Sequence, residues 1–210
     1  VSSEGLVIIE SLQKLLSQKT VLVTFAYVNS EIGVIQEVGK IARIVRAYEK
    51  ETGTRIYVHT DAAQAPLWLS CELDRLMVDM LSLDAGKCYG PKGVGVLVSR
   101  HGVELTPVIH GGPQEGGVRP ATENVAGVVG AAEALRVAQV HREARVKKTT
   151  ELRNFMIDAL LKIEGVILNG SREHRVANNV NISIPGIDSE FAVVVLDEKG
   201  IACSTKSACS

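Results

Sequence analysis

The chain has 210 residues, 46% of them hydrophobic, and a net charge of −1. A chain of this length can bury one sizeable core, or one core and part of a second. Acidic and basic residues are mixed along the sequence, which argues against a nucleic-acid-binding stripe and against a charged tail. No apolar run approaches the ~20 residues that a membrane-spanning helix needs, so we expect no contact with a membrane.

The four cysteines are Cys71, Cys88, Cys203 and Cys209, and none of them forms a CxxC pair. This spacing argues against a zinc ribbon or a thioredoxin-type site, and we expect no metal. Nothing in the pattern demands disulfide bonds. We therefore expect a reducing compartment, namely the cytoplasm or an organellar matrix.

The first elements alternate between helical and extended patterns. Residues 4–17 carry apolar side chains at helical spacing, and residues 20–26 form a continuous β-branched run that predicts a strand buried on both faces. Helical spacing returns over 36–51, and Gly53 predicts the end of that helix.

Three further extended segments follow, at 55–59, 78–83 and 94–98. Strands that alternate with helices predict an α/β fold with a mainly parallel sheet. Ligands of such sheets bind outside the carboxyl ends of the strands. The loops to inspect are therefore 27–33, 59–65 and 84–93.

The remaining chain predicts a different organisation. A Gly/Pro-rich loop covers 107–122, and a long helical stretch, broken once, covers roughly 123–164. Short extended segments at 165–168 and 176–184, with a helix near 188–199, predict a second α+β unit.

Two residues with complementary chemistry follow neighbouring strands. Asp61 comes after the strand at 55–59, and Lys87 comes after the strand at 78–83. They could form an ordinary ion pair. They could instead be a Schiff-base lysine and the acidic partner of a pyridinium nitrogen. Small residues beside them leave room for a flat ring: Ala62, Ala63, Ala85 and Gly86.

A wider series of motifs supports the second interpretation. It comprises, in order, residues 29–36 (NSEIGVIQ), 59–64 (HTDAAQ), 87–95 (KCYGPKGVG), 111–124 (GGPQE to RPATEN) and 204–209 (STKSAC). In order and spacing, the series resembles the motifs of cysteine desulfurases, which are class V aminotransferase-like, fold-type-I enzymes dependent on pyridoxal 5'-phosphate.

The resemblance implies a role for each matching residue. Lys87 matches the lysine that carries the cofactor and moves the proton at the substrate α-carbon. Asp61 matches the acid that keeps the pyridine nitrogen protonated, and Gln64 the donor to the ring hydroxyl. Thr122 matches a residue that reaches the cofactor phosphate from the partner subunit. Cys209 matches the nucleophile, on a mobile loop.

The sequence departs from the family pattern at four positions. Ser30 stands at a cofactor-binding position where the family usually has Asn. Asp84 and Gly86 replace the serine and histidine that precede the lysine, and an aspartate beside a phosphate dianion is unfavourable unless it turns away. Lys206 replaces a glycine shortly before the cysteine.

The resemblance also implies the domains and the reaction. Residues 1–125 would belong to a large cofactor-binding domain, and 126–210 to a long connecting helix and an incomplete small domain. The protein would be a homodimer that converts L-cysteine to L-alanine and leaves a persulfide on Cys209. A sulfur acceptor or iron–sulfur scaffold protein would receive that sulfur. Both ends of the chain look cut, since further family residues lie upstream and downstream of it.

Three alternatives remain at this stage. A selenocysteine lyase shares the same motifs. A degenerate relative that acts as a scaffold is suggested by Ser30, Asp84 and Gly86. A nicotinamide-binding protein is disfavoured, because no GxGxxG opens a helix after a strand.

Three nearby residues receive structural interpretations. His59 is expected to face the opposite side of the sheet from Asp61 and to serve the core or the strand ladder. Cys88 is expected to be a packing residue. Lys92 is a weaker rival to Lys87, because it lies within a Gly-Pro-Lys-Gly turn further from the strand end.

Overall fold

The computed structural model describes residues 1–206. The chain divides into two compact units. We call them the sheet unit, formed by Ile9–Tyr27 and Glu37–Glu143, and the tail unit, formed by Val1–Ile8, Val28–Gln36 and Ala144–Ser210.

The sheet unit is built on four strands in the order β1-β2-β3-β4. They are β1 (Leu22–Ala26), β2 (Tyr57–Asp61), β3 (Met80–Asp84) and β4 (Gly95–Ser99). β1, β2 and β3 run parallel, and β4 runs antiparallel to β3. The predicted α/β fold with a mainly parallel sheet is therefore confirmed.

Four helices accompany this sheet: α1 (Ile9–Leu15), α2 (Val38–Thr52), α3 (Leu73–Leu76) and α4 (Val125–Val140). α2 buries one apolar side, and it ends at Gly53 as predicted. Gly53 adopts the left-handed conformation (φ 71°), and its N–H bonds to the carbonyl oxygen of Glu49.

The two faces of the sheet differ in burial. Val58 and Thr60 of β2 and Leu81 of β3 are fully buried on one face. On the other face Thr24 and Asp61 are exposed. The prediction that β1 is buried on both faces was therefore wrong for this chain. A continuous β-branched run specifies a strand, but it does not specify what covers each face.

The long helical stretch is broken once, as predicted, and the break at His141 separates α4 from α5 (Arg142–Leu160). The tail unit then forms β5 (Ile167–Leu168), β6 (Ile182–Ser183) and α6 (Ser189–Glu198). The two strands are shorter than the sequence predicted. In the intervening segment the buried guanidinium of Arg175 donates hydrogen bonds to the backbone oxygens of Ser171 and Asn169.

None of the helices within residues 1–206 combines the length and the apolar character needed to cross a membrane.

Candidate active site

Asp61 is the last residue of β2 and pairs with Ser82 of β3. Its Oδ1 accepts a hydrogen bond from the N–H of Ala63 at 2.9 Å, which closes a tight turn at the strand end. Its Oδ2 has no hydrogen-bond partner among residues 1–206, and the side chain is exposed. Asp61 therefore holds one carboxylate oxygen open at a fixed place on the sheet edge.

Lys87 lies in a short 3-10 turn, Ala85–Cys88, that follows β3 directly. We call this segment the lysine turn. The Oδ1 of Asp84 accepts a hydrogen bond from the N–H of Gly86 at 2.8 Å and so caps the turn. The aspartate that departs from the family pattern is thus engaged in building the turn that carries Lys87. Because β2 and β3 are parallel, Asp61 and Lys87 follow strands that end at the same edge.

The lysine turn packs against α4. Ala85 is buried with Ala131 of α4, and Cys88 is buried with Ala138 of the same helix. Cys88 therefore has the packing role that we expected. Burial raises the pKa of its thiol, and the nearby Asp84 raises it further. These small side chains fix the turn against a helix and so restrict where Lys87 can point.

His59 lies on the same face of β2 as Asp61. Its Nδ1 is 2.7 Å from Oγ1 of Thr24 on β1, and its Nε2 is 2.8 Å from Oγ of Ser82 on β3. The prediction that His59 faces away from Asp61 was wrong, because residues two apart on a strand share a face. That alternation, with hydroxyl residues on both flanking strands, was the signal in the sequence.

Ser30 lies in the tail unit, at the exposed tip of a tight loop. The Oδ1 of Asn29 accepts hydrogen bonds from the N–H groups of Glu31 and Ile32, at 2.9 and 3.0 Å. The side-chain amide of Asn179 donates to the carbonyl oxygen of Glu31 at 2.9 Å. The loop is therefore internally fixed, whichever residue stands at its tip.

The other predicted site residues have simpler surroundings. Gln64 is half-buried and lies three residues after Asp61. Thr122 is exposed, two residues before Asn124, which caps the start of α4. Lys92 is exposed in the turn before β4. Cys209 lies outside the described residues.

The groups at the sheet edge fit pyridoxal phosphate in their chemistry. The open Oδ2 of Asp61 can accept a hydrogen bond from a protonated ring nitrogen, and Lys87 supplies a primary amine for a carbonyl carbon. The amide of Gln64 can donate to a ring hydroxyl. Asp84, whose Oδ1 caps the lysine turn, has a structural role in that turn.

Among the described residues, no three His, Cys, Asp or Glu side chains are grouped so that they could hold a metal ion.

Several known proteins are similar to this chain in sequence or in structure. Cysteine desulfurase IscS of Dictyoglomus turgidum is 40% identical over 211 residues, which is 100% of this chain and 52% of the relative. A solved NifS-like protein shares 37% identity with a TM-score of 0.89, over 98% of this chain and 55% of the other. A structure described as SspA in complex with cysteine shares 29% identity with a TM-score of 0.75, over 99% of this chain and 56% of the other.

The chain thus spans about half the length of the relatives that it matches. The expected resemblance to cysteine desulfurases is confirmed. The family model for aminotransferase class-V matches residues 1–210, and so the chain belongs to the class V aminotransferase family.

Proposed function

We propose that this protein is a pyridoxal-phosphate-dependent cysteine desulfurase, a sulfurtransferase that takes sulfur from L-cysteine for iron–sulfur cluster or thio-cofactor assembly. The observation that carries the proposal is the pair of Asp61 and Lys87 at the carboxyl ends of neighbouring parallel strands. The 40% identity to a cysteine desulfurase supports the choice of substrate.

Pyridoxal phosphate, when bound, supplies an electron sink that weakens bonds at the substrate α-carbon. Lys87 would hold the cofactor through its amine and move the proton at the α-carbon. The open Oδ2 of Asp61 would keep the ring nitrogen protonated. Gln64 would donate to the ring hydroxyl, and Ser30 and Thr122 would contact the cofactor on the strength of the family resemblance alone.

Cys209 would act as the nucleophile. Its thiolate sulfur would attack the substrate sulfur, so that an S–S bond forms and the C–S bond of L-cysteine breaks. The products would be L-alanine, with one added hydrogen on its β-carbon, and a persulfide on Cys209. The two thiol hydrogens and the two hydrogens of the substrate CH₂ supply the three hydrogens of the new methyl group and the one hydrogen of the persulfide. The sulfur is oxidised as the β-carbon is reduced, so no external oxidant or reductant is needed.

The first experiment is a borohydride labelling of the longest natural form of the protein, with an absorbance spectrum before and after. We expect a pyridoxyl label on the peptide that contains Lys87. Lys87→Ala should abolish the label, and Lys92→Ala is the matched control that should retain it. Absence of any label on the wild-type protein, even after cofactor is added, would favour the scaffold alternative.

The second experiment measures the products. With L-cysteine we expect one L-alanine per sulfur released, and Cys209→Ser should stop turnover while leaving the cofactor spectrum unchanged. Faster turnover of selenocysteine, independent of Cys209, would point to a selenocysteine lyase. Light scattering should give the mass of a dimer, since Thr122 is proposed to act from the partner subunit.

A further inference from the structure

A hydrogen-bonded line crosses three strands beside the proposed cofactor site. It runs from Oγ1 of Thr24 on β1 to the imidazole of His59 on β2, and from there to Oγ of Ser82 on β3. Thr24 is the ladder partner of His59, and Ser82 is the ladder partner of Asp61. The imidazole therefore lies between two hydroxyl groups on the face that carries Asp61.

Both ring nitrogens of His59 are engaged by these hydroxyls, so the imidazole is not hydrogen-bonded to Asp61. The two residues are two positions apart on β2, which is roughly 6.6 Å along a strand. A released imidazole could rotate to meet the carboxylate across that distance. As an imidazolium it would occupy the Oδ2 that a pyridinium needs.

We propose that Thr24 and Ser82 hold His59 away from Asp61, so that His59 is a positioning residue that keeps the Asp61 carboxylate available to a cationic ring nitrogen. The inference rests on the proposed function for the identity of that ring. His59 itself touches neither substrate nor cofactor in this scheme.

The electrostatic surroundings of His59 agree with this role. Burial lowers the pKa of His59. The negative charge of the Asp61 carboxylate acts in the opposite direction and raises it, but burial has the larger effect. The net lowering of the pKa favours the neutral imidazole, which does not compete as a cation for Asp61.

The test compares two double variants of the longest natural form of the protein. Thr24→Val with Ser82→Ala removes both hydroxyls. Thr24→Ser with Ser82→Thr retains them and is the matched control. Thermal unfolding of both variants checks that the fold is intact.

The first readout needs no cofactor. NMR of the imidazole nitrogens should show that the pKa of His59 rises in the hydroxyl-free variant, because the released ring gains the Asp61 carboxylate as a partner. The control variant should titrate as the wild type does. Adding Asp61→Asn to the hydroxyl-free variant should abolish the rise. An unchanged pKa in the hydroxyl-free variant would overturn the inference.

The second readout is the dissociation constant of pyridoxal phosphate, from an absorbance titration. We expect the hydroxyl-free variant to bind on the order of tenfold more weakly, a loss typical of residues that orient a ligand-binding group. Equal affinity, or an equal loss in the control, would overturn the positioning role. A wild-type protein that binds no cofactor would instead refute the proposed function, and the NMR result would still report on His59.

Discussion

Two aspartates lie at opposite ends of strands in the same sheet, with very different surroundings. Asp61 ends β2, is exposed, and accepts one hydrogen bond, from the N–H of Ala63. Asp79 immediately precedes β3 and is 2% exposed. Asp79 accepts hydrogen bonds from Arg46 at 2.5 Å, from Arg55 at 2.8 Å and from the N–H of Val58 at 2.7 Å.

The difference separates a structural carboxylate from one that is available to a ligand. Glu49 joins Asp79 by accepting from Arg46 and Arg55, at 2.7 and 2.9 Å, so that the four charges form a closed cluster. Burial alone would raise the pKa of Asp79, but hydrogen bonds from Arg46, Val58 and Arg55 outweigh it and hold the pKa below its usual range. Asp61 has no such cluster around it within residues 1–206.

The largest expected effect is on stability when the closed cluster is opened. Asp79→Asn removes the buried negative charge and leaves Arg46 with Glu49 as its remaining carboxylate partner. We expect a loss of about 3 kcal/mol in the free energy of unfolding, at the low end for a broken buried ion pair because Arg55 is half exposed. Urea unfolding measures it.

Asp61→Asn is the matched control for Asp79→Asn. We expect Asp61→Asn to change the free energy of unfolding by less than about 0.5 kcal/mol, as for an exposed position. It should weaken pyridoxal phosphate binding, whereas Asp79→Asn should leave that binding unchanged in folded protein. If the two variants lost equal stability, the distinction between the aspartates would be refuted.

Lowering the pH should remove part of the stabilisation that the closed cluster contributes to the free energy of unfolding. The folded-state pKa values of Asp79 and Glu49 are both lowered. For Glu49, burial alone would raise the pKa, but hydrogen bonds from Ile56, Arg46 and Arg55 lower it further than burial raises it. Their stabilisation is therefore fully present above the unfolded-state pKa and is lost as the pH falls through the folded-state pKa.

The stability advantage of the wild type over Asp79→Asn should accordingly shrink in acid. Urea unfolding of both proteins from neutral pH down to about pH 3 measures this difference. An advantage that stays constant over that range would show that the Asp79 charge contributes nothing and that the variant is destabilised by packing instead.

Much of this fold could be predicted from the sequence. The order of the strands and long helices, the stop at Gly53 and a single break in the stretch 123–164 follow from periodicity and from residues with strong local preferences. The position of that break, at His141, did not follow from the sequence. The exposure of β1 could not be predicted, because a β-branched run does not reveal what covers a strand. The Arg175 segment was also unpredictable, since the local hydrogen bonds of its guanidinium depend on side-chain directions that periodicity does not reveal.

The site could be predicted in part. The order of chain elements delivers Asp61 and Lys87 to one edge of a parallel sheet, which is a topological consequence of the sequence pattern. The open Oδ2 of Asp61, the role of Asp84 as a cap and the line through His59 could not be predicted, because each depends on hydrogen-bond directions. The roles of Lys87 and Cys209 remain proposals.

A further expected effect, smaller than that at Asp79, concerns the packing that holds the lysine turn. A Cβ on Gly90 would meet the carbonyl oxygen of Ala85 at 2.8 Å and the Cβ of Ala134 on α4 at 3.0 Å. Because one of these neighbours is backbone and the other is on a helix, neither can move without shifting an element. We expect Gly90→Ala to cost about 1–3 kcal/mol in the free energy of unfolding, which is typical of overpacking.

Gly39→Ala on α2 is the control for Gly90→Ala, since its nearest neighbour would be the carbonyl oxygen of Arg75 at an ordinary 3.8 Å. It should stabilise the protein by roughly 0.5–1 kcal/mol through helix propensity. Gly90→Ala should also weaken pyridoxal phosphate binding, because the shift is transmitted to Lys87 through Ala85. Asp79→Asn loses stability without that effect, so a Gly90→Ala protein with unchanged cofactor affinity would show that α4 does not set the position of Lys87.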